Sequence, residues 1–275
     1  MYNILAKKVL NDQVTALEVD APFIAKKVLP GQFVIVRIDE FGERIPLTVA
    51  DFNCEKGTVT IIFQAIGYTT KKLSSLSIGD EILDFVGPLG KPTEFGTPKN
   101  AVVVGGGVGC AIAYPQAKAL FNMGVNTTVI AGFRSKDIVI LEDEMRKVSH
   151  NYYVTTDDGS YGQKGFVTDV LKHILETQNI DIVIAIGPVP MMKFVSKTTE
   201  PYGIKTIVSL NPIMIDGTGM CGGCRVSVGG ETKFACVDGP DFDGHLVDFD
   251  SLMLRNSGYR EEEAHACRLG DIKNG

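Results

Sequence analysis

The chain has 275 residues, 44% hydrophobic and 22% charged, the composition of an ordinary soluble globular protein with room for two domains and a small appendage. Its 27 Lys and Arg against 33 Asp and Glu leave a net charge of −6, which argues against a nucleic-acid partner. Met1 to Leu10 lack the apolar core and cleavage site of a signal peptide, and no apolar run approaches the roughly 18 residues of a membrane span. Six cysteines in so long a chain do not make a disulfide framework, so a reducing cytoplasm is expected.

Residues 1–96 read as β-rich. Val14–Val19, Gln32–Arg37 and Val59–Gln64 are strand-like, and Gly31, Gly42, Gly57 and Gly79-Asp80 punctuate them. Short strands at this spacing predict a small antiparallel barrel. Cys54 reads as a small buried residue.

Near Pro98 the pattern changes to alternating strand and helix, which predicts a parallel sheet covered by helices. Ala101–Val104 is a buried strand, and a helix follows to about Met123. Strands are expected at Thr127–Ala131, Tyr152–Thr155 and Asp181–Ile186, with helices at Glu142–Val148, Val167–Thr177 and Pro190–Lys197. Gly105-Gly106-Gly107-Val108-Gly109 lies between the first strand and its helix. Such a turn lets a phosphate approach the helix N-terminus, although many glycine-rich turns serve packing alone. Cys110, just after it, reads as helix packing.

The acidic residue that usually binds a ribose about 20 residues beyond such a turn is missing; Val129 and Ile130 stand there, and Arg134 and Lys136 follow. Those basic residues either meet a 2′-phosphate or are simply solvated. Two further loops fall at carboxyl ends of strands, where open α/β sheets bind ligands: Thr156–Gly162, with Asp157 and Asp158, and Gly187–Met192. Turn chemistry is the other reading of the two aspartates.

The third part, about 210–275, carries Asp216-Gly-Thr-Gly-Met-Cys221-Gly-Gly-Cys224, and Cys236 beyond it. Plant-type iron–sulfur spacing is C-x4-C-x2-C with a more distant fourth cysteine. Here a carboxylate, Asp216, takes the first place before Cys221, Cys224 and Cys236. Gly217, Gly219, Gly222 and Gly223 allow the backbone to wrap closely around sulfur. A structural zinc site also begins with C-x2-C, but a ribbon supplies a second close pair and none follows; Cys267 stands apart.

Taken together, the three parts resemble the ferredoxin–NADP reductase superfamily over essentially the whole chain. The cysteine segment narrows the resemblance to the branch of the dihydroorotate dehydrogenase B electron-transfer subunit. Within it, Asp216 and a long tail, Val237–His245 through Tyr259–Glu263, resemble the small subunits of NADH-dependent reduced ferredoxin:NADP+ oxidoreductases, also called sulfide dehydrogenase beta subunits. The resemblance implies a flavin barrel over 1–96, a parallel-sheet NAD(P)-binding domain over 97–210 and a small [2Fe-2S] domain over 211–275.

On the family's motifs, FAD contacts fall at Arg44, Pro46, Leu47 and Thr48, with Ile45 intervening between the arginine and the proline. They continue at Ala65, Ile66, Gly67, Thr69 and Thr70, and Gly87-Pro-Leu-Gly90 corresponds to the barrel's closing turn. NAD(H) contacts fall at Gly105, Gly106, Gly107, Gly109, Arg134, Asp157, Gly187, Pro188 and Met191. Ile186 stands where a cysteine is often found.

The resemblance implies electron transfer among NAD(H), FAD and a [2Fe-2S] cluster held by Asp216, Cys221, Cys224 and Cys236. It implies a heterodimer with a larger subunit carrying FAD and [4Fe-4S] clusters, ferredoxin reached through that partner, and flavin-based electron bifurcation. Two alternatives stand beside it: the electron-transfer subunit of dihydroorotate dehydrogenase B, whose partner would be an FMN barrel, and a zinc-stabilised nucleotide-binding regulator without redox chemistry.

Overall fold

The β-branched runs of the first third pair into one antiparallel sheet. In the computed structural model, which describes residues 1–258, the strands are β1 (Tyr2–Val9), β2 (Val14–Asp20), β3 (Phe33–Arg37), β4 (Ile45–Asn53), β5 (Thr58–Gln64), β6 (Glu81–Ile82) and β7 (Asp84–Leu89). Their order is β6-β1-β2-β5-β4-β3-β7. The two edges, β6 and β7, are consecutive in sequence and joined only by Leu83, whose N–H reaches the Ile38 carbonyl at 3.1 Å. The sheet therefore curls into a nearly closed barrel, the arrangement that leaves the fewest unpaired edges.

Leu17, Val34, Val36, Ile61, Phe63 and Phe85 fill the barrel interior. Short α1 (Pro22–Ala25) and α2 (Tyr68–Ser75) cover it from the connections. Gly87 to Leu89, expected as a turn, lies inside β7, because Leu89 pairs with Phe33 and extends the sheet; the turn begins only at Gly90. Cys54 is exposed, not buried, and its thiol donates to the Ala25 carbonyl at 3.1 Å.

The second sheet comprises β8 (Asn100–Gly106), β9 (Asn126–Phe133), β10 (Asn151–Thr156), β11 (Gln163–Lys164), β12 (Ile182–Ile186) and β13 (Lys205–Ser209), interleaved with α3 (Gly109–Asn122), α4 (Glu142–Lys147), α5 (Val167–Thr177) and α6 (Val189–Thr199). These six strands are parallel, in the order β11-β10-β9-β8-β12-β13. Val102–Val104 and Ile182–Ile186 are buried on both faces, which is why they read as unbroken apolar runs. Alanines make α3 thin: Ala111, Ala113 and Ala117 share one core with Val103 and Val129 of the sheet and with Val14, Ala50 and Ile62 of the barrel. An ion pair, Lys118 Nζ to Asp51 Oδ1 at 2.7 Å, borders that contact.

The last described part holds the hairpin β14 (Arg225–Val228) and β15 (Glu231–Phe234), then α7 (Ala235–Asp238), β16 (Asp241–Asp243) and α8 (Phe249–Asn256). It is knitted to both other parts. β16 adds antiparallel to the edge of the second sheet, Ser209 opposite Asp241, and Phe249 and Leu252 of α8 pack with Val195 and Val208. Met214, Cys224, Ala235 and Cys236 pack on Phe33 and Ile35 of the barrel. Tyr259–Glu263 and Cys267, named above, lie outside the described residues. Among the described residues no helix is long and apolar enough to cross a membrane.

Candidate functional site

The order of the second sheet creates the first half of the site. The chain runs outward from β8 through β9 and β10, then returns to the other side of β8 with β12, so the topological switch lies between β8 and β12. A ligand crevice opens there, beyond the carboxyl ends of the strands. Gly105–Gly109 and Gly187–Met192 meet at that point. A Cβ on Gly109 would stand 2.5 Å from the Ile186 carbonyl oxygen, and one on Gly106 would collide with Met191 Sδ and lie 3.0 Å from Pro188 Cδ. The glycines are thus required for α3 to start against the end of β12 and for Met191 to lie over the turn. This cradle, with the amides at the start of α3, fits a nucleotide diphosphate.

Cys110 Sγ, beneath the turn, is fully buried, and burial pushes its thiol up to about 12, which makes it a packing group. Met192 is buried as well. Arg134 and Asp157 are exposed at the ends of neighbouring β9 and β10, tied by the Asp157 N–H to the Phe133 carbonyl at 3.1 Å. Asp158 accepts from Ser160 N–H at 2.8 Å, and its carboxyl sits below its ordinary value because of the Ser160 hydroxyl and N–H; turn chemistry accounts for it.

The second half is the outer face of the barrel. Phe33 pairs with Thr48 and Ile35 with Pro46, and directly opposed residues point the same way, so these four side chains share one face. Val34, Val36 and Leu47 alternate to the other face and pack in the barrel interior. Of the motif residues, Pro46 and Thr48 therefore point outward, whereas the Leu47 side chain belongs to the core. Arg44 lies at the edge of the same outer face, Nη1 3.9 Å from Asp84 Oδ2.

The loop Ala65–Gly67 leads into α2. Thr70 Oγ1 accepts from the Ile66 and Gly67 N–H groups at 3.2 and 3.0 Å, so its hydroxyl shapes the loop itself. Thr69 donates to Glu43 at 2.9 Å, which fastens the N-terminus of α2 beside Arg44. Arg44–Thr48 and the 65–70 loop are thereby brought together, and a face with an apolar middle and a cationic end suits a flavin nucleotide.

The cysteine loop covers the other end of this face. Gly217 has φ +78°, and a Cβ there would stand 2.8 Å from Ile35 Cγ1 and 3.0 Å from Leu89 Cδ1, so only glycine lets the loop lie on β3 and β7. Asp216 accepts from the N–H groups of Thr218 (3.0 Å), Met220 (3.1 Å) and Cys221 (3.0 Å). Those N–H donors, Thr218 foremost, and the nearby Cys221 thiol hold its carboxyl below the ordinary range. Cys236 N–H points at Cys224 Sγ at 3.4 Å, and burial together with the neighbouring Cys224 thiol pushes the Cys236 thiol up to about 12.

The four residues expected as ligands thus form two halves, an outer one of Asp216 and Cys221 and a buried one of Cys224 and Cys236. Among the described residues no group of three His, Cys, Asp or Glu side chains is drawn in closely enough to hold a single metal ion. An ionised carboxylate and two thiols on one glycine-rich loop, with the Cys236 thiol brought beside Cys224 from α7, fit an iron–sulfur cluster.

Barrel, parallel nucleotide sheet and cysteine loop together define a ferredoxin reductase-like oxidoreductase whose electron path includes an iron–sulfur centre. A family model described as the iron-sulfur cluster binding domain of dihydroorotate dehydrogenase B matches residues 211–248, and one described as the oxidoreductase NAD-binding domain matches residues 103–197. The chain is 48% identical to a dihydroorotate dehydrogenase B electron transfer subunit homolog of Thermotoga maritima, over 95% of this chain and 93% of the relative. To the dihydroorotate dehydrogenase B electron transfer subunit of Fusobacterium nucleatum it is 35% identical, over 82% and 88%.

A solved structure of NADH-dependent reduced ferredoxin-NADP oxidoreductase, described for flavin-based electron bifurcation, superposes with TM-score 0.92 at 47% identity, covering 97% of this chain and 96% of that one. The chain belongs to the family of dihydroorotate dehydrogenase B electron-transfer subunits and their homologues, and is an electron-transfer subunit of an oxidoreductase. The iron–sulfur match removes the ground for the zinc-stabilised regulator.

Three groups of this region were not legible in the sequence. Arg37 and Asp84 emerge only from strand register, because β3 is apolar on both faces and hides its alternation. Asp241 reads as one acid in an acidic tail, and only the pairing of β16 with β13 buries it.

Proposed function

We propose that the chain carries electrons between NAD(H) and a larger partner subunit, within an NADH-dependent ferredoxin:NADP+ oxidoreductase that works by flavin-based bifurcation. The observation that carries this is the shared face of β3 and β4: Pro46 and Thr48 lie on it, and the Cys224–Cys236 half of the cysteine loop packs on Phe33 and Ile35 of the same face. A flavin on this face would accept a hydride from the nicotinamide and release electrons singly to a [2Fe-2S] cluster.

The chain's own residues bind and orient. Gly105, Gly106, Gly107 and Gly109 admit the dinucleotide diphosphate of NAD(H), and Gly187, Pro188 and Met191 bound the nicotinamide end. Arg134 and Asp157 flank the adenosine end. Thr48 and Pro46 support FAD with the backbone of Leu47, Arg44 meets its diphosphate, and Ala65, Ile66, Gly67, Thr69 and Thr70 shape the diphosphate loop. Asp216, Cys221, Cys224 and Cys236 hold the cluster.

The functional parts are taken as 1–96, 97–210 and 211–275. The exposure of Cys221 and Met220 supports a cluster loop that faces the partner. By likeness to the bifurcating oxidoreductase, that partner would bring a second FAD and [4Fe-4S] clusters and would itself meet ferredoxin. None of the five described cysteines is paired, in keeping with a cytoplasmic location.

The test is an anaerobic absorbance spectrum of the purified chain, with flavin, iron and sulfide assayed on one sample. One FAD, two irons and two sulfides per chain support the reading; a colourless protein would sink it. The relatives that are dihydroorotate dehydrogenase B subunits favour a second reading in which the partner is an FMN barrel. Identification of the co-purifying subunit decides between the two.

A further inference from the structure

We propose that Arg37 is a second phosphate-binding residue for the flavin nucleotide, acting beside Arg44; the inference rests on the flavin reading of the barrel's outer face. Three neighbouring strands place the residues. Arg37 ends β3 directly opposite Asp84, which starts β7, and Arg44 immediately precedes β4 on the other side of β3. Arg37 follows Phe33 and Ile35 by the two-residue period of a strand, so it shares the face of Pro46 and Thr48.

The cysteine segment covers that face over Phe33, Ile35 and Leu89. Toward the other end Val86 is 39% exposed, and the Arg37 and Arg44 side chains are 32% and 35% exposed. The open part of the face is therefore an apolar strip that ends in two guanidinium groups.

Charge makes the second arginine more than a bystander. Asp84 Oδ2 takes Arg37 Nε at 2.6 Å and lies 3.9 Å from Arg44 Nη1, so two guanidinium groups share one carboxylate. The Nη donors of Arg37 have no hydrogen-bond partner among the described residues. Fixing Nε on Asp84 sets the plane of the guanidinium, which suits two-point recognition of phosphate oxygens. Glu43–Thr69, and a contact of Lys72 with Asp39, fasten α2 and its Gly67 amide beside the same end. FAD has this pattern, an apolar ring system joined to a doubly charged diphosphate.

The experiment uses the full chain with its flavin removed, titrated with FAD and with riboflavin, which lacks the diphosphate. Arg37→Gln should weaken FAD about ten- to a hundredfold, the cost of a charge-assisted hydrogen bond, and flatten its salt dependence. Riboflavin binding should stay at the wild-type value, and Arg37→Lys should fall between. Equal weakening of FAD and riboflavin would make Arg37 a structural residue and overturn the inference. If Arg44→Gln weakens FAD while Arg37→Gln does not, the inference fails and the flavin reading stands. If neither variant changes FAD binding, the reading of this face falls with it.

Discussion

The buried carboxyl of Asp241 should make the protein less stable as pH rises through about 6. It lies where the barrel, the second sheet and the cysteine segment meet. Its Oδ2 accepts from the Thr93 hydroxyl, Ser209 stands opposite it on β13, and Oδ1 is buried with no partner. Burial raises the carboxyl from 3.8 to about 6, with the Thr93 and Ser209 hydroxyls pulling the other way.

A raised acid means that the folded chain binds the proton more tightly than the unfolded chain. The stabilisation is full below about 3.8 and is lost as pH climbs past about 6. The gap is worth about 3 kcal/mol in all, of which about 1.4 kcal/mol falls between about pH 5 and pH 7.5. The carboxyls held below their ordinary range, at Asp39, Asp181 and Asp216, act in the opposite sense on the acid side and leave this window clear.

Asp241→Asn keeps an acceptor for Thr93 and puts an amide N–H2 where Oδ1 had no partner. Urea unfolding of both chains across that range should show wild type losing about 1.4 kcal/mol relative to the variant. Parallel profiles would refute the reasoning, since they would mean that Asp241 does not change its charge on unfolding there.

Gly109→Ala should abolish NADH-dependent reduction of an artificial acceptor while flavin is retained, because the backbone of Ile186 cannot yield to a Cβ 2.5 Å from its carbonyl oxygen. Gly106→Ala should raise the KM for NADH, and adding Met191→Ala should restore it in part, because the obstructing atom is the mobile end of a side chain; no recovery would indicate a backbone effect. Asp216→Ala should lower iron and sulfide per chain, with Asp216→Cys retaining them. Unchanged iron in Asp216→Ala would remove the carboxylate from the ligand set and bring Cys267 forward. Lys118→Ala should cost less than about 1 kcal/mol in urea unfolding, as a half-exposed ion pair with Asp51 is largely offset by solvent.

Local chemistry made much of this protein legible from the chain alone. Val102–Val104 and Ile182–Ile186 announce buried parallel strands because a strand covered on both faces must be apolar throughout. The period of Val167–Thr177 announces a helix with Val170, Leu171 and Ile174 buried. Gly105–Gly109 and Asp216–Cys224 are short, self-contained loops, so their residues meet without help from distant chain.

What sequence spacing leaves open is any relation that depends on register or on separate parts touching. The outward turn of Pro46 and Thr48, and the inward turn of Leu47, follow from which residue of β3 each opposes, and a slip by one would exchange the faces. The pairing of Arg37 with Asp84 spans 47 residues, and that of Thr93 with Asp241 spans 148. Nothing local encodes such distances. The sequence alone specified the loops and elements, because hydrogen bonding and apolar period act between near neighbours. Only the tertiary structure brought the cysteine loop onto the outer face of the barrel and buried Asp241, because both need three separately formed parts to exclude water from one shared junction.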